Sequence, residues 1–176
     1  IDFVNPSDLT VRAANAWTIL KIATVQNNSG RKFLFPPAVL PLRGQVILTV
    51  GSGDRERPLA NNYPFTTPVA NRFYAFVDLL STSGTLLNLD DKTVVLDALK
   101  KSSTACLPEI RGWSLDLVAG TGEQTVTSSL ITGGRVFWNT HRALAPESGV
   151  CNANLGAARG YSADLFCGSN FSVPYS

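Results

Sequence analysis

Methionine is absent from the 176 residues, and histidine occurs once, at His141. Without a methionine Ile1 is not a translation start, so the chain is expected to be a processed product or a piece of something longer. Charge is sparse. Charged residues make up 16% of the chain, against roughly 25% in an average soluble domain. Fifteen Lys and Arg against thirteen Asp and Glu leave +2, which gives no electrostatic footprint for nucleic acid or anionic lipid. Long apolar runs are missing too. Val46-Ile47-Leu48 and its like fall far short of the ~18 residues a membrane helix needs, so no membrane span is expected. Disorder is excluded as well, because apolar residues reach 44% while net charge stays low. A globular, weakly charged chain remains.

Cysteine is scarce, with only Cys106, Cys151 and Cys167. Three thiols allow one disulfide and leave one over. Cys151 and Cys167 are close in sequence and flank a Gly-rich stretch, so they are the expected pair; the other reading is three buried thiols in a reducing compartment. No Cys-x-x-Cys exists and there is one histidine, so no zinc site is expected. Catalytic signals are equally thin. There is no Gly-x-Ser-x-Gly elbow, and His141 follows an apolar strand, as a strand-end surface residue does. Gly51-Ser52-Gly53 runs into Asp54-Arg55-Glu56 where a phosphate loop would open a helix with Lys-Ser/Thr. Asn88-Leu89-Asp90-Asp91 lacks the turn glycine and closing Glu of a calcium loop. No catalytic residue, metal site or cofactor is assigned.

What is present is period-2 patterning in β-branched and aromatic residues, bounded by Gly, Asn, Ser and Pro. Strands are expected near residues 16–25, 32–40, 45–50, 72–78, 111–117, 124–132, 135–140 and 160–165. Residues 90–101 fit a short helix as well as a strand. A repeat runs through this order. Trp17 leads to Pro37-Ala-Val-Leu, to Gly44-Gln-Val-Ile-Leu-Thr and to Phe73-Tyr74-Ala75-Phe76-Val77-Asp78. Trp113 leads in the same way to Ser129-Leu-Ile-Thr, to Gly134-Arg-Val-Phe-Trp and to Gly160-Tyr161-Ser162-Ala163-Asp164. Four strands per unit is the pattern of β-propeller blades. The expected fold is all-β: antiparallel four-stranded blades, one unit about 16–78 and one about 111–165, linked by 79–110 within a single propeller portion. Closed rings use roughly four to eight blades, so about two must belong to a larger ring.

Function is expected in the long insertions, 51–71 and 141–159. Asp54-Arg55-Glu56-Arg57 alternates in sign directly after a buried-type strand. Asp54 or Glu56 is expected to pair with Arg72 and staple the insertion to its own unit. Tyr63, Phe65 and Trp138 are candidate apolar anchors, with core packing the expected fate of Trp138. The candidate contact residues are therefore Asp54, Arg55, Glu56, Tyr63, Phe65 and Arg72.

Val50-Gly51-Ser52-Gly53-Asp54-Arg55-Glu56-Arg57-Pro58-Leu59 followed by Asn71-Arg72-Phe73-Tyr74-Ala75-Phe76-Val77-Asp78 resembles the C-terminal propeller of type IV pilus tip adhesins, the PilY family. Gly112-Trp113-Ser114-Leu115-Asp116-Leu117, Gly122-Glu123, Thr132-Gly133-Gly134-Arg135-Val136-Phe137 and Cys151-Asn152-Ala153-Asn154-Leu155-Gly156-Ala157-Ala158-Arg159-Gly160-Tyr161 extend the likeness in the same order. The resemblance implies an exported, non-enzymatic protein of the cell surface or pilus tip, supporting pilus biogenesis, retraction control and adhesion. It implies minor pilins or other tip proteins as partners, and a host or surface ligand bound through a region outside these residues. The family's aspartate-rich calcium loop has no counterpart here. Two other classes stand beside it: a quinoprotein-like propeller enzyme, and a secreted carbohydrate-binding β-domain.

Overall fold

A computed structural model describes residues 10–17, 21–25, 30–43, 45–54, 69–79, 93–100, 105–118, 122–144, 149 and 156–175. Eleven strands run through them: β1 (Ala23–Thr24), β2 (Ala38–Leu42), β3 (Gln45–Gly51), β4 (Arg72–Leu79), β5 (Val94–Val95), β6 (Gly112–Asp116), β7 (Gln124–Thr125), β8 (Leu130–Thr132), β9 (Arg135–Arg142), β10 (Ala157–Asp164) and β11 (Ser172–Tyr175). The only helical pieces among the described residues are two 3-10 turns, Ala14–Ala16 and Leu96–Ala98. None is long and apolar enough to cross a membrane. The chain is all-β.

Two antiparallel sheets carry the fold. The first has the order β2-β3-β4-β6. In the second, β9 pairs with β10 along its full length, β11 adds beyond β10, and β7 and β8 share the other side of β9. Gly133 and Gly134 join β8 to β9 with φ of 56° and 74°. A two-residue hairpin turn that matches the strand twist needs both residues in that left-handed region, which only glycine enters without cost. A short parallel pair, β1 with β5, lies apart from both sheets in pairing.

The strand grouping differs from the expected units by one strand. Trp113 lies on β6, whose partner is β4, so it closes the first sheet instead of opening the second. Trp17 is no counterpart to it: Trp17 follows a 3-10 turn and is 47% exposed, whereas Trp113 is fully buried. The second sheet gains its fifth strand from β11, where no strand is expected from the pattern.

The two sheets pack face to face. Ile47, Phe73, Ala75, Val77, Trp113 and Leu115 from the first meet Val136, Trp138, Tyr161, Ala163 and Leu165 from the second. The sheets differ in their outer faces, and the reason is visible in the strands. On β4 the run Phe73-Tyr74-Ala75-Phe76-Val77 is buried on both sides. On β9, Val136, Trp138 and Thr140 are buried while Phe137 and Asn139 are exposed. Apolar residues on both faces mark a strand covered twice; alternation marks a sheet with one covered face. Val94, Leu96, Ile22 and Val25 supply part of the second cover, over Leu48, Tyr74 and Phe76.

A disulfide joins the sheets at one end, and it is not the expected one. Cys167 is bonded to Cys106, 61 residues away, so it has no sulfur valence left for Cys151. Sheet packing brings the segment before β6 against the turn after β10, which proximity in sequence does not reveal. In the chain-entropy picture, closing a loop of that length restrains the unfolded chain by about 4 kcal/mol. Cys151 lies outside the described residues.

Candidate functional site

The residue that organises the contact between sheets is Ser52, just past β3. It is fully buried and uses every polar atom. Its N–H donates to the Arg72 carbonyl at 2.9 Å, and its hydroxyl donates to Asn71 Oδ1 at 2.9 Å. The same hydroxyl accepts the Arg72 N–H at 2.9 Å. Its carbonyl takes both the N–H and the hydroxyl of Thr125, at 3.0 and 2.9 Å. Asn71 then reaches across, its Nδ2 donating to the Glu123 carbonyl at 3.0 Å.

Glu123 continues the path into the second sheet. Its Oε1 accepts the hydroxyls of Thr140 at 2.6 Å and Tyr161 at 2.7 Å. Burial, and then the bond to the Glu123 carboxylate, pushes the Tyr161 hydroxyl up to about 12. A carboxylate only 2% exposed is costly unless its oxygens are satisfied. Here two hydroxyls satisfy Oε1, and Gly122 (φ 76°) makes the turn that delivers the side chain. Above this path Trp138 stacks between Phe73 (4.0 Å, 6°) and Tyr161 (5.2 Å, 5°). We call this assembly the seam.

Glycine is required where the seam is tightest. A Cβ on Gly51 would lie 2.1 Å from Thr125 Cγ2, and one on Gly53 would lie 2.4 Å from the Thr125 carbonyl oxygen. The first obstacle is a side chain and the second is backbone. Gly51→Ala and Gly53→Ala are each expected to cost about 2 kcal/mol. Adding Thr125→Ala should recover part of the Gly51→Ala loss and none of the Gly53→Ala loss, read as urea midpoints of the four variants. Equal recovery in both would contradict this packing.

The expected staple between Asp54 and Arg72 is not formed. Asp54 Oδ2 pairs with Lys32 Nζ at 2.8 Å, and its N–H donates to Gln124 Oε1 at 2.7 Å. Arg72 points to the other face of β4, where its register partner is Asp116; Nε meets Asp116 Oδ1 at 2.5 Å and a second nitrogen lies 3.9 Å from Asp97. Directly opposed residues on adjacent strands are the natural partners, so register decides the pair. Arg31 also binds Asp97 and donates to the Ala70 carbonyl at 2.8 Å. Arg55, Glu56, Tyr63 and Phe65 lie outside the described residues. Trp138 is in the core, and His141 sits within β9, its ring packed against Gly156.

Tyr74 lies under this charged cluster, fully buried, its hydroxyl without a hydrogen-bond partner among the described residues. Burial pushes its hydroxyl up to about 12. In the unfolded chain a tyrosine ionises near 10. The stability tied to the neutral phenol is therefore complete below pH 10 and is lost as pH rises through about 12. Tyr74→Phe removes that loss. Relative to the wild type, the variant should gain on the order of 2 kcal/mol between pH 9 and pH 12, measured by denaturant titration at each pH.

Serine, asparagine, glutamate, threonine and tyrosine in the seam are consumed by each other. Among the described residues no group of three or more His, Cys, Asp or Glu is placed to hold a metal ion. The arrangement binds one sheet to another. No family model, curated protein or solved structure matches the chain.

Proposed function

We propose that the chain is part of a β-propeller of the PilY kind, a non-enzymatic scaffold of the type IV pilus machinery that supports pilus assembly, retraction control and adhesion. One observation carries this reading. Four of the separate segments through which the sequence resembles that family meet in the seam: 51–54 after β3, Asn71-Arg72 leading into β4, Gly122-Glu123 before β7, and Tyr161 on β10. Contacts that join consecutive sheets are what a ring of blades needs.

The first sheet supports the same reading. A blade inside a ring is covered on both faces, and this sheet is apolar on both. Its outer face still holds a cavity of about 400 Å³ lined by Ile22, Val25, Phe33, Leu48, Val50 and Phe76. A neighbouring blade is the cover a propeller provides. The partners would be minor pilins or other tip proteins at the cell surface.

The test is fractionation. Pili sheared from the native cells should carry this protein, and deleting its gene should lower surface pili while the cellular pilin pool stays unchanged. Absence from the sheared fraction together with normal piliation would overturn the proposal.

A further inference from the structure

The seam is fastened at two ends, and they differ in chemistry. At one end Ser52, Asn71, Glu123, Thr125, Thr140 and Tyr161 hold the sheets by hydrogen bonds that involve no cysteine. At the other end the turn after β10 is laid over Trp113. The indole Nε1 donates to the Leu165 carbonyl at 2.9 Å, and the Leu107 N–H donates to the Phe166 carbonyl at 2.8 Å. Phe171 meets Trp113 edge-on at 6.0 Å. Gly168 lies so close that a Cβ would fall 2.5 Å from Trp113 Cδ2. Asp164 shapes the turn by accepting the N–H groups of Phe166 and Cys167, each at 2.9 Å. The Cys106–Cys167 bond closes this end.

We propose that Cys106–Cys167 is a redox-dependent clasp that opens and closes the Trp113 end of the seam while the Glu123 end stays shut. The pieces held by the disulfide are small: one short turn on each side, with few hydrogen bonds between them. The sheets themselves are paired through long ladders, β9 with β10 over eight residues and β3 with β4 over seven. The turn at 165–171 stays tied to its own sheet, through Leu165 N–H to the Gly134 carbonyl and Arg135 to the Asn170 carbonyl, so reduction parts it from the segment before β6, breaking the Leu107–Phe166 bond and uncovering Trp113, Leu107 and Phe171 with both sheets left intact. In a reducing compartment small thiols supply two electrons and two protons, becoming disulfides themselves, and this end stays open; in an oxidising one a disulfide oxidant takes them back and closes it. The clasp rests on the seam alone and stands whether or not the protein belongs to a pilus.

The experiment is amide hydrogen exchange on the protein in a Cys151→Ser background, which removes the third thiol as an exchange partner. Dithiothreitol supplies two electrons and two protons to the bond, leaving thiols at Cys106 and Cys167 and itself becoming a cyclic disulfide. The expected result is exchange on the order of a hundredfold faster at Leu107, whose N–H donates across the clasp to Phe166, with β3, β4, β9 and β10 unchanged. Tryptophan emission should shift to the red, and reoxidation should restore both signals. Cys106→Ser/Cys167→Ser in the same background should show the open form without reductant. Two outcomes overturn the clasp: unchanged exchange at Leu107 after complete reduction, or acceleration in every strand together, which would make the disulfide a staple of the whole fold.

Discussion

Trp138→Ala is expected to destabilise the protein by about 4 kcal/mol, the largest loss from any single truncation in the seam. The indole is 2% exposed and stacked on both faces, by Phe73 from the first sheet and Tyr161 from its own. Stacked aromatic pairs add about 0.5–1.5 kcal/mol beyond the area they bury. Collapse cannot fill the gap, because both neighbours are fixed by strands. The indole Nε1 has no hydrogen-bond partner among the described residues, so the loss is packing and not hydrogen bonding. Trp138→Phe, which keeps a ring in the slot, should cost about 1–2 kcal/mol. Guanidinium unfolding of the three proteins reads both values. A loss below about 1 kcal/mol for Trp138→Ala would mean the stack does not join the sheets.

Glu123→Ala is expected to cost about 3 kcal/mol by a different route. The carboxylate is the acceptor for the hydroxyls of both Thr140 and Tyr161. Its removal strands the buried Tyr161 hydroxyl and leaves Thr140 only the Arg159 carbonyl at 3.5 Å, and an unsatisfied buried group costs about 1–3 kcal/mol. Glu123→Gln keeps an oxygen acceptor at that place and should lose less than half as much. If the glutamine variant falls as far as the alanine one, the negative charge itself is required. Combining Glu123→Ala with Tyr161→Phe and Thr140→Val should recover stability relative to the single variant, since no stranded donor remains.

The strands with strong alternation or continuous apolar runs were legible in the sequence: β3, β4, β6 and β9 fall within two residues of their expected positions. Weaker ones moved for local reasons. Pro36 and Pro37 cannot donate to a ladder, so the strand expected from residue 32 begins at Ala38. The stretch 124–132 splits into β7 and β8, both on β9. Residues 90–101 resolve into β5 followed by a 3-10 turn. β11 is four residues with a proline, too short for periodicity to find.

The site was legible as a set of segments and not as a set of contacts. Gly51-Ser52-Gly53, Asn71-Arg72 and Gly122-Glu123 stand out in the sequence, yet their interlocking depends on two sheets packing face to face. The Asp54 and Arg72 pairing failed for the same reason: residue 72 opens a strand whose register, set by β6, places Asp116 opposite it. Glu123 carried no local signal of burial, and Cys106 none of its partner. Tertiary packing supplies all three.

The central claim is that these residues belong to a larger ring, and the intact mass of the mature protein from its native source tests it most directly. The account predicts a mass several-fold above 18.9 kDa, with tryptic peptides covering both sheets within one polypeptide. A mature native chain of only these 176 residues, monomeric and soluble, would contradict it.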